Sequence, residues 1–132
     1  MATIVVGYVP KPEGDAALDR AIEEGKLRSA KLVVVNSHRG GDEFDAAAAG
    51  KAEQALAKVE ARLKDSGVDY DLRQLVRGFE PAEDLIGIAD SVQAELIIIG
   101  LRRRSPVGKL ILGSNAQRIL LDAKCPVLSV KA

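Results

Sequence analysis

Apolar residues fall along this chain in two alternating kinds of run: short continuous blocks rich in β-branched side chains, and longer stretches where they recur every three or four positions. Ile4-Val5-Val6-Gly7-Tyr8-Val9 is the first block and stops at Pro10-Lys11-Pro12, which predicts a strand entering a proline-marked loop. From about Glu13 to Arg28, Leu18/Ile22 and Ala17/Ala21 recur at helical spacing while Asp19, Arg20, Glu23 and Glu24 take the other side, so an amphipathic helix follows. Leu32 to Val35 reads as a strand buried on both faces, and the polar run Asn36 to Asp42, with Gly40-Gly41, as the loop at its exit.

Ala52, Leu56, Val59 and Leu63 mark one face of a helix between Asp45 and Lys64, stopped by Ser66-Gly67. Val68 to Val76 alternates, with Tyr70, Leu72 and Gln74 opposite Asp71 and Arg73, as in a half-exposed edge strand. A third helix, about Glu80 to Gln93, starts near Pro81 and lines up Leu85, Ile88, Ala89 and Val92. Leu96 to Ile99 is the most apolar run and predicts a central strand, with Gly100 turning the chain sharply into the loop 101–106. Ser114 is placed to cap a last helix carrying Ala116, Ile119, Leu120 and Ala123, and Pro126 to Val130 forms a final strand. Strict strand–helix alternation implies an α/β fold: an open five-stranded parallel sheet with right-handed crossovers and helices on both faces, a single domain over residues 1–132. Ligands bind such sheets beyond the carboxyl ends of the strands, where strand order reverses beside the first strand. The segments after Val9, Val35 and Ile99 are therefore the ones to search.

Composition narrows the chemistry. Nineteen basic and nineteen acidic side chains cancel, so no overall field draws the protein to nucleic acid or an anionic membrane, and neither partner is expected. The start has no charged and apolar leader pattern and no run approaches membrane-spanning length, which places the protein in the cytoplasm. Cys125 is the only cysteine and His38 the only histidine, which removes internal disulfides, zinc clusters and histidine-based triads. Cys125 reads as packing, and His38 as an exposed loop residue.

The segment Gly100 to Ser114 carries the most information. Two glycines bracket a basic stretch, Arg102-Arg103-Arg104, before a helix whose start offers backbone amides and a hydroxyl, an arrangement that attracts phosphate. Glycine after a strand and serine before a helix are also ordinary punctuation, and three arginines serve equally as a solvated loop or an anion fork. Gly108-Lys109 is followed by Leu110, not Ser or Thr, and the upstream glycine spacing is wrong for a Walker A loop.

Gly100, then two residues, a third at 103, nine more, and Gly113-Ser114 resembles the nucleotide-binding motif of the universal stress protein family, which has Gly at both of the first two marked positions. The resemblance extends to Val5-Val6-Gly7, Pro12-Glu13, Ala16-Ala17-Leu18 and Cys125-Pro126-Val127-Leu128-Ser129-Val130, and so spans the chain. It implies a sheet of the adenine nucleotide alpha hydrolase-like type, a site for ATP or another adenine nucleotide, and a homodimer. By resemblance, Gly7, Val9, Ser37, Ile99, Gly100, Arg103, Gly113, Ser114 and Asn115 would line the nucleotide, and Val127, Leu128, Ser129 and Val130 the dimer contact. Two positions depart from the motif: Arg103 replaces its second glycine, and Val9 replaces the acidic residue that faces the nucleoside. Arg103 either blocks a triphosphate or adds a charge-assisted contact to it.

The function expected is therefore sensing or regulation through a bound nucleotide, with no catalytic residues, no metal and at most slow incidental ATP hydrolysis. A family member that has lost the nucleotide and acts as a dimeric adaptor is the alternative that Val9 and Arg103 suggest. The last strand, apolar and at a sheet edge, suits self-pairing in either case. A flavodoxin-like flavin site is a weaker third reading, since aromatics are few and Pro10-Lys11-Pro12-Glu13-Gly14 stands where a serine/threonine-rich phosphate loop would be.

Overall fold

A computed structural model describes residues 1–39, 46–77, 80–102 and 112–132. Its elements run β1 (Thr3–Gly7), α1 (Pro12–Arg28), β2 (Lys31–Arg39), α2 (Ala46–Ser66), β3 (Tyr70–Arg77), α3 (Pro81–Ser91), β4 (Leu96–Leu101), α4 (Ser114–Asp122) and β5 (Val127–Lys131). The five strands form one parallel sheet in the order β3-β2-β1-β4-β5. That order reverses between β1 and β4, as the strand–helix pattern predicts, and it differs from the 2-1-3-4-5 order of flavodoxin-like sheets, which removes the basis of the flavin reading.

Alternation along the central strands divides the interior in two. Ile4, Val6, Leu32, Val34 and Ile98 face one way and pack with Leu18 and Ile22 of α1 and Val59 and Leu63 of α2. Val5, Val33, Val35, Ile97 and Ile99 face the other way, against Leu85 and Ala89 of α3 and Ile119 of α4. Burial on both faces is why these strands read as unbroken apolar runs. Among the described residues no helix is long and apolar enough to cross a membrane.

Four expectations are corrected. β2 continues through Asn36, Ser37, His38 and Arg39, because the long β3 supplies ladder partners in register out to Arg77; no hydrophobic signal marks that extension. β1 ends at Gly7, although Tyr8 still donates its N–H to the Val35 carbonyl at 2.9 Å. Gly100 lies inside β4, paired with Val130, and makes no sharp turn. On α4, Ala116, Ile119 and Ala123 form the stripe against the sheet, one position off from Leu120, which is left 39% exposed.

Candidate functional site

The turn between β1 and α1 is fixed by backbone contacts. The Lys11 N–H donates to the Val9 carbonyl at 2.8 Å, Pro12 opens the helix where a missing N–H is harmless, and the Asp15 N–H reaches the Lys11 carbonyl at 3.0 Å. Two glycines let this turn close down. A Cβ on Gly14 would collide with the Val9 carbonyl, and one on Gly100 would collide with the Glu13 carbonyl. Gly100 is therefore required by the approach of α1 to β4, and its backbone has no left-handed torsion.

Above this junction, at the carboxyl ends of β1 and β4, lies a cavity of ≈ 190 Å³. Its walls are largely apolar: Gly7 and Val9 from the β1 side, Val35 of β2, Ala82 and Leu85 of α3, Ile99 and Gly100 of β4, Asn115 and Ile119 of α4. Gly7 keeps the floor open, since a Cβ there would stand 3.2 Å from the Leu85 side chain. A second cavity of ≈ 330 Å³ adjoins it through Val9, Glu13, Gly100, Asn115 and Ala116 and continues over Lys11, Arg102, Gly113 and Ser114. The recess is mostly apolar, whereas its extension is mixed and carries Lys11, Arg102 and Ser114, so the two offer different chemistry to the ends of one ligand.

The polar end is built on α4. Gly113 occupies its N-cap in extended conformation (φ −65°, ψ 162°) with no side-chain cap, so Ser114 is the first helical residue and not the cap expected of it. The first intrahelical bond is Gln117 N–H to the Gly113 carbonyl at 3.0 Å, which leaves the N–H groups of Ser114, Asn115 and Ala116 without an intrahelical acceptor. Among the described residues nothing stands within 4 Å of a Cβ on Gly113, beside these groups. Donors at a helix start, beside Lys11 and Arg102, favour an anion.

One acidic group stands at the junction of both cavities. Glu13 is 8% exposed, and its carboxylate lies 3.4 Å from the Arg102 guanidinium. Sequence reasoning placed the lost carboxylate at Val9, which lines both cavities and is 38% exposed, and gave Glu13 no place in the site, only the start of the first helix. The signal was its neighbour, because Gly14 inside a first helical turn marks a close backbone approach that buries what stands beside it.

Of the other expected residues, Gly7, Val9, Ile99, Gly100 and Asn115 line the apolar recess, and Gly113 and Ser114 the polar extension. Ser37 is on β2, paired with Leu75 of β3, two residues past the Val35 wall. Arg103 and Arg104 lie outside the described residues. Val127, Leu128, Ser129 and Val130 pair with Ile97 to Gly100 on one side and form the sheet edge on the other, far along the sheet from β3. Cys125 is half-buried, which pushes its thiol up, as suits a packing residue. Among the described residues no group of three or more His, Cys, Asp or Glu is placed to hold a metal ion.

Comparison with known proteins agrees with this architecture. The model of the Universal stress protein family matches residues 1–131. A universal stress protein of Mycolicibacterium smegmatis is 49% identical over 128 residues, covering 97% of this chain and 96% of that one. The solved universal stress protein of Archaeoglobus fulgidus superposes with a TM-score of 0.87 at 36% identity, with 99% of both chains covered. Another structure from that organism, solved in complex with dAMP, has a TM-score of 0.80 at 30% identity and covers 99% of this chain and 98% of its own.

Proposed function

Because the chain belongs to the universal stress protein family, we propose that it is a cytoplasmic, homodimeric sensing or regulatory protein that works by holding an adenine nucleotide across the two adjoining cavities. The observation that carries this reading is the joining of an apolar recess at the β1/β4 reversal to the start of α4, whose first amides have no intrahelical acceptor. A relative of 30% identity that holds dAMP supports the ligand class. In this reading the base and sugar lie among Gly7, Val35, Leu85 and Ile99, and phosphate meets the Ser114 and Asn115 amides.

Glu13 takes over the role that Val9 has lost. Its carboxylate accepts from a sugar hydroxyl or the exocyclic amine, and Arg102, now its partner at 3.4 Å, swings to the phosphate. The arrangement stabilises an anion by donors and charge and works by binding, not turnover. A nucleotide-free adaptor is the second reading, favoured by Val9 and by the Glu13–Arg102 pair, which satisfies both charges without a ligand. Amide spectra recorded during addition of AMP separate the two. Changes centred on Gly7, Gly100, Ser114 and Asn115 support the nucleotide site, and a spectrum unchanged through millimolar AMP supports the adaptor.

A further inference from the structure

A different groove lies on the opposite face of the sheet, between α1 and α2, with a volume of ≈ 400 Å³. Lys51, Lys58 and Arg62 stand seven and four residues apart on α2, so they share one helix face, and all three line the groove together with Gln54. Among the described residues of that lining, Asp15 is the one carboxylate. Asp19, just outside it, already pairs with Arg62 and holds that guanidinium at one end.

On the strand side of the lining, Tyr8 brings a polar group to an otherwise apolar surface of Leu18, Ala55 and Val59. Tyr8 is 5% exposed and lines the groove, yet its hydroxyl has no hydrogen-bond partner among the described residues. Beside it in the sheet, Asn36 is 1% exposed with Nδ2 unpartnered. The Tyr8 N–H bond to the Val35 carbonyl sets the two strands side by side, and Asn36 falls on the Leu32 and Val34 face, the one that α1 and α2 cover. Among the described residues the Asn36 amide is the buried unpaired donor and lies outside the groove's lining, whereas the Tyr8 hydroxyl, which is not fully enclosed, is the donor that the groove itself presents.

We infer that this groove is a second ligand site, separate from the nucleotide cavity, which takes a small phosphorylated molecule through Lys51, Lys58, Arg62 and the Tyr8 hydroxyl. Phosphate supplies the acceptors that Tyr8 lacks and meets several cations at once. Burial, and secondarily the charge of Asp15, push the Tyr8 phenol up, so at neutral pH it is a donor. Because Lys51 and Lys58 are exposed, a single negative charge would be held weakly, which favours a ligand carrying two or more.

The test is an amide-resolved titration of the full-length, nucleotide-stripped protein with inorganic pyrophosphate, against sodium chloride of equal ionic strength. Saturable changes at Tyr8, Lys58 and Arg62 are expected with pyrophosphate and absent with chloride. Lys58→Glu, at an exposed position, should weaken the binding about tenfold or more, and Tyr8→Phe, which keeps the ring, severalfold. Gly113→Asp, in the other cavity, should leave it within about twofold. Changes confined to Ser114, Asn115 and Ala116, changes reproduced by chloride, or an affinity indifferent to Lys58→Glu would each overturn the inference.

Discussion

Single residues decide whether the α1 turn can sit against the end of β4. A Cβ on Gly14 or Gly100 would run into a backbone carbonyl, whereas one on Gly113 would meet none of the described residues. Gly14→Ala and Gly100→Ala should therefore each destabilise the fold by about 2 kcal/mol or more, despite the better helix propensity of alanine at position 14. Gly113→Ala should cost less than about 1 kcal/mol, the loss of a tolerated N-cap. Denaturant midpoints for the three variants check the ranking. Tyr8 gives a second prediction. Burial raises its phenol above the ordinary value of 10.0, so the unfolded chain ionises first. Its contribution to stability is complete below that pH and is lost as pH rises through the native value. Urea unfolding at about pH 9 and about pH 11 should show a steeper loss for the natural chain than for Tyr8→Phe.

At the scale of elements, α4 links stability and binding with opposite signs. An aspartate at position 113 would cap the helix that Gly113 leaves without a side-chain cap, and would occupy the amides proposed for phosphate. Gly113→Asp should therefore stabilise the protein by about 0.5–1 kcal/mol while weakening AMP binding tenfold or more. Thermal unfolding and titration on the same variant check both signs. The elements themselves were legible where periodicity is strong, as in Leu96 to Ile99 or the Leu18/Ile22 face of α1, because burial on a sheet or a stripe leaves a pattern. The extension of β2 through Ser37 to Arg39 was hidden, since it depends on the length of β3 and on no apolar residue of its own. In the site, Gly100 and Gly113 were visible as glycines, but the reason for Gly100 was not. The Glu13 carbonyl that demands it is 87 residues away in sequence and comes near only when α1 packs on β4. Glu13 itself was missed for the same reason, and the Tyr8 and Asn36 donors became conspicuous only once strand alternation placed both on one face.

In the whole molecule, β5 ends the sheet with an edge that no strand among the described residues pairs, and Val127 to Val130 are only half-buried. Pairing with a second copy along this edge would cover them, and Val130→Lys should shift the proposed dimer toward monomer by sedimentation. A dimer of unchanged stability would move the contact elsewhere. The two joined cavities share Glu13 and run from an apolar recess to the start of α4, the shape proposed for an adenine nucleotide. Isothermal titration of the nucleotide-stripped protein with AMP tests that proposal most directly. Saturable binding with a dissociation constant on the order of micromolar is expected, weakened tenfold or more by Glu13→Ala. No heat of binding from the folded natural protein, at millimolar AMP, would contradict it.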